Sequence, residues 1–354
     1  MPGRFRGSLP SQVAELSRLL TGARGDRGLS YLSRPNLLSA YLRYFLPWNL
    51  YRLCLVLAGL EKVFSAGDSI IDLGSGPLTL VSALWISRPD LRELPLEFFC
   101  VDRSSPALEA GKKFFAALGA VGANENPWKL HLVKEDIDFR KAVLARKKNS
   151  AAFVCAINIF NEVYEHLPHS DTNALRRMAS NAVRIMSEKA ADDAFFLTME
   201  PGIPQSGHFI SFLRDAFLEI GRAPVSPCPH SAACPLCGGK RWCHFAFEPK
   251  DAPNELQRLS AAAGIPKERL VFSFLLTGPA VKTEGDKARV ISDAFALPNC
   301  RYGRYGCSSR GLVLFAGEKS RIDKLSCGSL FGPVFAEEEQ RDAKSGALII
   351  EVKQ

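Results

Sequence analysis

Apolar residues recur at helical spacing through residues 1–66. The segments SQVAELSRLL and RPNLLSAYLRYFLPWNLYRLCLVLAGLEKVF both carry such a stripe, and Pro47 interrupts the second one. Apolar side chains three and four residues apart share one face of a helix, whereas proline removes a backbone donor from the helical ladder. The pattern therefore predicts an N-terminal helical region with a break at Pro47. The charged and polar residues within its most apolar part argue against a membrane span.

From residue 67 the pattern changes to short apolar runs that alternate with helical segments. The runs are DSIIDLGSG, LEFFCVDRS, KLHLVKEDI, AAFVCAINIF and AFFLTMEPG. Helical spacing marks SPALEAGKKFFAALGA, SDTNALRRMASNAVRIMSEKAA, GHFISFLRDAFLEIG and NELQRLSAAAG, and a further strand pattern, RLVFSFLLTG, follows. Strands that alternate with helices are typical of a doubly wound parallel sheet, so the predicted fold class is α/β.

The pattern of apolar and polar residues changes again near the end of the chain. The strand-like segments ARVISDAF, RGLVLFAG and ALIIEV are separated by Gly, Ser and charged residues. Residues 283–354 are therefore predicted to form a small C-terminal β-rich domain. Residues 67–282 then form the central α/β domain, which contains a cysteine-rich loop at 226–245.

The first apolar run ends in a glycine turn. The segment IIDLGSGPLTL leads from a strand through Gly74 and Gly76 into a helix, Asp102 ends the second strand, and Asp136 follows the third. Glycines at a strand end let a ligand approach the backbone, and an acid on the second strand can accept hydrogen bonds from ribose hydroxyls. A dinucleotide fingerprint is not present, because Thr79 stands where its third glycine belongs.

An acid before the turn, two glycines and a second-strand acid resemble the class I S-adenosylmethionine methyltransferases. The resemblance implies a set of cofactor-binding residues: Asp72, Gly74, Ser75, Gly76, Asp102, Asp136 and Asn161. Many such enzymes have a third glycine where this chain has Leu78, whose side chain is expected to crowd the methionine end of the cofactor. The Asn-Pro-Pro-aromatic motif of amine methylases is missing from NIFNEVYEHL. Asn161 and Glu162 in that segment either bind ligand or cap the next helix, so no catalytic residue is predicted.

The loop SPCPHSAACPLCGGKRWCHF contains Cys228, Cys234, Cys237 and Cys243. MPGRFRGSLPSQ lacks the apolar core of a secretory signal, so the ten cysteines are expected in a reducing cytoplasm, where clustered thiols indicate metal or redox chemistry. Four loop thiols could hold zinc, or three of them could join a distant cysteine around an iron-sulfur cluster. Spacing alone does not separate the two.

The cysteine loop and the preceding MEPGIPQSGHFISFLRDAFLEIG resemble one family closely. This is the family of methyltransferase-like assembly factors of the small ribosomal subunit, known from mitochondria and with bacterial relatives. YLSRPNLLSAYLRYFLPWNL, DLGSGP and FNEV also fit, so the resemblance covers residues 31–317.

The resemblance implies a 4Fe-4S cluster on Cys228, Cys234, Cys243 and one distant cysteine. YGCSSRGLVLF favours Cys307 as that distant ligand, with Cys300 second and Cys327 third. Cys237 is then an extra thiol, and a zinc site on the four loop cysteines is the alternative.

The charge balance agrees with a ribosomal partner. The chain has 45 Lys and Arg against 37 Asp and Glu, a net charge of +8 that favours a polyanion. Candidate phosphate contacts are Lys112, Lys113, Arg146, Lys147, Lys148, Lys240 and Arg241. The resemblance, together with this charge, implies a monomeric cytoplasmic protein that binds small-subunit rRNA or the 30S precursor without a membrane. The alternatives are an active rRNA methyltransferase and a zinc-knuckle methyltransferase of another substrate.

Overall fold

The structure is a computed structural model. It describes residues 8–21, 31–60, 62–120, 127–137, 139, 150–164, 171–280, 286–333, 335 and 339–352. Contacts divide the chain into two compact units. The first comprises Met1–His166, Ser187–Ala191 and Glu248–Leu270, and the second comprises Leu167–Met186, Asp192–Phe247 and Val271–Gln354. The domain boundaries predicted at 66/67 and 282/283 follow a different division and stay a prediction.

The N-terminal region is helical, as its periodicity predicts. Helix α1 spans Leu9–Thr21, α2 spans Pro35–Ala40 and α3 spans Leu46–Ala58. Pro47 does not end the helix, because the five residues Tyr41–Phe45 between α2 and α3 form a π-helical turn. Proline cannot donate the regular helical hydrogen bond, and the wider turn accommodates that loss. No helix among the described residues is long and apolar enough to cross a membrane.

The first unit also contains four parallel strands in the order β3-β2-β1-β4. They are Ser69–Leu73 (β1), Glu97–Asp102 (β2), Lys129–Lys134 (β3) and Ala151–Ile157 (β4). Helix α4, Thr79–Ser87, connects β1 to β2, and α5, Ser105–Gly119, connects β2 to β3. The short helix α6, Phe160–Val163, follows β4.

The second unit begins with α7 (Thr172–Ser187), β5 (Ala190–Pro201) and α8 (Pro204–Glu219). The strands β6 (Arg222–Ser226) and β7 (Phe245–Phe247) flank the cysteine loop. After helix α9 (Asn254–Ala262) of the first unit, β8 (Leu270–Pro279) runs antiparallel between β5 and β6. Four parallel strands ordered 3-2-1-4, followed by a late antiparallel strand, make up the class I methyltransferase fold. The predicted α/β fold class is confirmed.

The C-terminal residues form a separate six-stranded sheet, which confirms the predicted β-rich region. Its elements are β9 (Ala288–Val290), β10 (Phe295–Leu297), β11 (Arg301–Ser308), β12 (Gly311–Gly317), α10 (Lys319–Ile322), β13 (Leu330–Phe331) and β14 (Leu348–Glu351). The segment ARVISDAF forms two short strands rather than one. Val290, Val313, Phe315 and Ile350 lie in the core of this sheet.

Candidate cofactor cavity and cysteine cluster

A cavity of about 410 Å³ lies at the carboxyl ends of the four parallel strands. Ligands of open α/β sheets bind at this edge, where the strand order reverses, which here is between β1 and β4. Six of the seven predicted cofactor residues line the cavity: Asp72, Gly74, Ser75, Gly76, Asp102 and Asp136. Asn161 is buried in α6 and does not line it.

Two acids of the cavity are held by the glycine turn. The Ser75 hydroxyl donates a hydrogen bond to Asp72 at 2.5 Å, and burial raises the pKa of Asp72 to about 7. Asp102 accepts hydrogen bonds from the backbone amides of Gly76 at 2.8 Å and Ser104 at 2.7 Å. Burial also raises the pKa of Asp102. The turn therefore fixes both side chains before any ligand binds, and the Asp102 oxygens retain lone pairs for a ligand.

The prediction that Leu78 crowds the cofactor is wrong. Leu78 has a left-handed backbone conformation with φ 56°, is fully buried, and does not line the cavity. It packs instead on α5, where a Cβ added to Gly111 would lie 2.8 Å from its Cγ atom. A non-glycine residue in this conformation costs about 1–2 kcal/mol. A glycine would remove that cost, but the leucine leaves the cavity open.

The N-terminal helical region contributes side chains that the sequence patterns do not single out. Tyr31 and Tyr41 line the cavity, as does Arg103. Arg103 forms a salt bridge with Glu162 at 2.9 Å, and the Tyr31 hydroxyl lies 3.1 Å from the other Glu162 oxygen. Glu162 therefore binds neighbouring side chains at the cavity. Helical periodicity predicts only that both tyrosines pack within the helical region. It does not predict where a phenol oxygen points.

In the second unit, four thiols lie near enough for their charges to interact. Burial, and then the charges of Cys228, Cys307 and Cys234, raise the pKa of Cys243 well above its ordinary value. Burial, and then Cys228 and Cys234, do the same to the pKa of Cys307. We call these four residues the cysteine cluster. They are the four that the family resemblance implies as ligands.

The remaining candidate thiols differ from the cysteine cluster. The Cys237 thiol lies 3.4 Å from the Asp215 carboxylate, and burial, followed by the Asp215 charge, raises the pKa of Cys237 to about 12. Cys300 is exposed in the turn between β10 and β11. Cys327 adds to the pKa shift of Cys243. Within the described residues, no group of three or more His, Cys, Asp or Glu side chains is positioned to hold a metal ion.

A buried arginine fixes the loop that carries Cys228 and Cys234. The Arg214 side chain, 2% exposed, donates hydrogen bonds to the carbonyls of His230 at 2.9 Å and Ala232 at 2.6 Å. The His230 Nε2 atom lies 3.2 Å from the Cys307 sulfur, and burial lowers the pKa of His230 to about 4. The loop is therefore tied to α8 by Arg214 and to β11 by the contact between His230 and Cys307.

The C-terminal sheet also holds this loop through Arg289 of β9. Its guanidinium donates hydrogen bonds to the carbonyls of Pro227 at 2.7 Å and Gly328 at 2.9 Å. On the other side of the loop, the Cys243 carbonyl accepts a hydrogen bond from Ser273 at 2.7 Å. Both ends of the cysteine loop are therefore anchored to strands of the second unit.

Residues 39–297 match the family model described as mitochondrial small ribosomal subunit Rsm22. The chain belongs to the Rsm22 family. The match spans well over half of the chain and includes the cavity strands and the whole cysteine loop, whereas Cys307 lies beyond it. Membership in the Rsm22 family confirms the predicted resemblance and makes this a methyltransferase-like protein associated with the small ribosomal subunit. No curated protein sequence matches the chain.

Solved structures also resemble the Rsm22-family chain. Phosphoethanolamine N-methyltransferase 2 from Haemonchus contortus is 9% identical, with 71% of this chain and 59% of that chain covered and a TM-score of 0.39. The YcgJ protein from Bacillus subtilis is 12% identical, with coverages of 66% and 99% and a TM-score of 0.34. The cyclopropane synthase MmaA2 from Mycobacterium tuberculosis is 10% identical, with coverages of 64% and 83% and a TM-score of 0.36. The fold assignment rests on the strand order rather than on these likenesses.

Proposed function

We propose that the protein binds S-adenosylmethionine in its cavity, holds a 4Fe-4S cluster on the cysteine cluster, and assists small-subunit assembly by binding rRNA. The observation that carries the proposal is the cavity at the strand ends, which is lined by six residues of the implied cofactor set. Membership in the Rsm22 family supports the ribosomal part.

The chemistry of the cavity fits an adenosine-containing cofactor. Its volume of about 410 Å³ lies within the range of roughly 300–1,000 Å³ typical of small-molecule sites. Asp102 stands at the tip of β2, where a carboxylate can accept hydrogen bonds from ribose hydroxyls. Asp136 follows β3, where we expect it to accept from the adenine amino group. Both positions are acceptors, as these donor groups require.

The cysteine cluster fits an iron-sulfur cluster better than a zinc ion. Thiolates are the ligands of both, but a cluster of four irons and four sulfides is larger than one ion, so its ligands lie farther apart. Four thiols whose charges interact, one of them from β11, agree with the ligand set that the resemblance implies. The contact between Cys237 and Asp215 weighs against zinc held by the four loop cysteines. When bound, the cluster would link the loop covalently to β11 as a structural element.

Binding without methyl transfer agrees with the state of Glu162. Its two oxygens contact Arg103 and Tyr31, so the carboxylate is held by neighbouring side chains, and the ion pair with Arg103 makes it a weaker base for a substrate proton. We therefore propose a role in assembly that retains the cofactor. Incorporation of a labelled methyl group into small-subunit rRNA by the purified protein would instead identify an active methyltransferase.

Exposed basic residues would bind rRNA phosphates. Lys112 and Lys113 of α5 are exposed, and so are Lys240 and Arg241 in the cysteine loop. Arg146, Lys147 and Lys148 lie outside the described residues. Phosphate contacts position a protein without reading sequence and weaken steeply with salt. We propose that a monomer acts in the cytoplasm, although the family description refers to mitochondria.

The first experiment is purification without oxygen, followed by an absorption spectrum, metal analysis and calorimetry. About four irons and four sulfides per chain are expected. Heat released on addition of S-adenosylmethionine is expected as well. A colourless protein with one zinc ion would refute the iron-sulfur proposal, and absence of heat would refute cofactor binding. Salt-dependent binding to small-subunit rRNA tests the third part.

A further inference from the structure

A chain of three polar side chains leads into the cavity from the N-terminal helices. The Arg52 guanidinium donates a hydrogen bond to the Asn49 Oδ1 atom at 3.0 Å. The Asn49 Nδ2 atom in turn donates to the Tyr41 hydroxyl at 3.2 Å. Asn49 is buried, and Tyr41 lines the cavity. All three residues belong to the first unit.

The direction of this chain is fixed by its first member. An arginine side chain can only donate, so the Asn49 oxygen must face Arg52 and the Asn49 amide NH₂ must face Tyr41. The Tyr41 oxygen is therefore an acceptor toward Asn49, and its proton must point elsewhere. Burial, and then the Glu162 charge, raise the pKa of Tyr41, so the hydroxyl keeps this proton. Tyr41 thus presents a hydrogen-bond donor at the cavity.

The helix geometry helps to place this donor. Tyr41 is the first residue of the π-helical turn, and its carbonyl accepts the amide of Leu46 five residues later. The extra residue in a π turn changes the direction in which the preceding side chains point, which is one reason such turns occur at functional sites. The π turn that precedes Pro47 thus has a consequence for the cavity as well as for the helix.

The other polar side chains of the cavity indicate which group of a ligand would need a hydrogen-bond donor from the protein. Five carboxylates line it: Asp72, Asp102, Glu135, Asp136 and Glu162. They suit hydroxyl, amino and ammonium groups, but they repel a ligand carboxylate. Among the lining donors, Tyr31 and Arg103 contact Glu162 and Ser75 donates to Asp72, and the polar side chains of Thr79, Ser104 and Asn158 line the cavity as well. Tyr41 differs because its proton is directed away from its only hydrogen-bond partner among the described residues.

We propose that Tyr41 is a ligand-binding residue whose hydroxyl donates a hydrogen bond to the carboxylate of the methionine part of S-adenosylmethionine. Asn49 and Arg52 act as positioning residues that fix the direction of this donor. The inference rests on the proposed binding of the cofactor and assigns the recognition of one of its groups.

The test compares two ligands by calorimetry: S-adenosylmethionine and its decarboxylated form, which lacks only the carboxylate. Tyr41→Phe is expected to weaken binding of S-adenosylmethionine roughly tenfold, because a charge-assisted hydrogen bond is lost. It should leave the affinity for the decarboxylated ligand unchanged. The matched control is Tyr44→Phe, in the same π turn, whose hydroxyl donates to the Ile265 carbonyl at 3.3 Å. This control should change neither affinity.

Asn49→Leu provides a second variant that leaves the tyrosine in place. It is expected to weaken S-adenosylmethionine binding less than Tyr41→Phe does, and the double variant should be no weaker than Tyr41→Phe alone. Wild-type protein that binds neither ligand would overturn the proposed function and this inference with it. Wild-type binding of S-adenosylmethionine, together with equal effects of Tyr41→Phe on both ligands or no effect on either, would overturn this inference alone.

Discussion

The cavity and the cysteine cluster are two kinds of site in one chain. In the cavity, the acids Asp72 and Asp102 already accept hydrogen bonds from the glycine turn and its neighbours. In the cysteine cluster, burial and the neighbouring thiols raise the pKa of Cys228, Cys243 and Cys307, and the Arg214 and Arg289 charges lower that of Cys228. The cavity is therefore organised by the protein itself, whereas the proposed function makes the cysteine cluster dependent on a metal group that binds its thiols as thiolates.

The largest expected effect is loss of the metal group. Cys307→Ser should remove the iron, the absorption band and most of the soluble protein, because metal binding and folding are one process at a thiolate site. The matched controls are Cys300→Ser, which removes an exposed thiol, and Cys237→Ser, which removes the thiol that contacts Asp215. Both should retain the iron, the absorption band and the soluble protein. Iron content, spectrum and soluble yield are measured together. Loss of metal in Cys237→Ser with retention in Cys307→Ser would indicate zinc on the four loop cysteines.

The stability of the protein should depend on pH in the range where the buried Asp72 of the cavity titrates. Its pKa is raised by burial to about 7, from about 4 in the unfolded chain, so the folded state holds a proton that the unfolded state has lost. The free energy of unfolding should therefore fall by up to about 4 kcal/mol as pH rises from about 4 to about 7. Above that pH it should level off. Asp72→Asn should reduce this fall and leave the part that comes from the raised pKa of Asp102, which denaturant unfolding at several pH values would detect.

Asp90→Asn is the control for that pH dependence. Asp90 is bound by Arg88 at 2.7 Å, which lowers the pKa of Asp90. Its stabilising effect is present above its unfolded pKa and is lost as pH falls through the folded pKa, the opposite sign to Asp72. A pH profile of Asp72→Asn that falls between pH 4 and 7 as steeply as that of the unchanged protein would show that Asp72 does not cause the fall.

The scaffold of the cysteine cluster should depend on Arg214. Arg214→Met is expected to lower the free energy of unfolding by about 3 kcal/mol, because it leaves the buried carbonyls of His230 and Ala232 without their donor. Arg176→Met, which removes a half-exposed side chain 4.0 Å from Asp215, should change it by less than about 0.5 kcal/mol. Equal midpoints of denaturant unfolding for the two variants would contradict this role of Arg214.

The two sites also differ in how far sequence predicts them. The DLGSGP turn, Asp102 and Asp136 follow one another at strand ends, so local patterns suffice to predict the cavity. Cys307 lies in β11, whose RYGRYGCS segment has no clear strand pattern, and only the family resemblance points to it. Neither local sequence patterns nor the family resemblance predict the direction in which a side chain points. Leu78 packs away from the cavity because its backbone is left-handed, and Tyr41 faces it from a π turn.

The smallest expected effect is that of Gly74→Ala. This substitution tests whether the backbone of the glycine turn organises the cavity. Gly74 has φ +72°, and an added Cβ would lie 2.6 Å from the Ile159 Cδ1 atom. Gly67, with φ +85° and nothing within 4 Å, provides a control with the same backbone cost and no contact. Both alanines should lose about 1 kcal/mol of stability to the left-handed conformation.

Gly74→Ala should lose about 1 kcal/mol more than Gly67→Ala, because Ile159 must shift to make room for the new methyl group. Ile159 lines the cavity beside Asn158, so its shift should also weaken S-adenosylmethionine binding, whereas Gly67→Ala leaves that affinity unchanged. Denaturant unfolding and calorimetry on the two variants measure both effects. Equal losses of stability with equal affinities would mean that the turn tolerates a side chain. Recognition at the cavity would then depend on the acids and on Tyr41 rather than on the close approach of the glycine backbone.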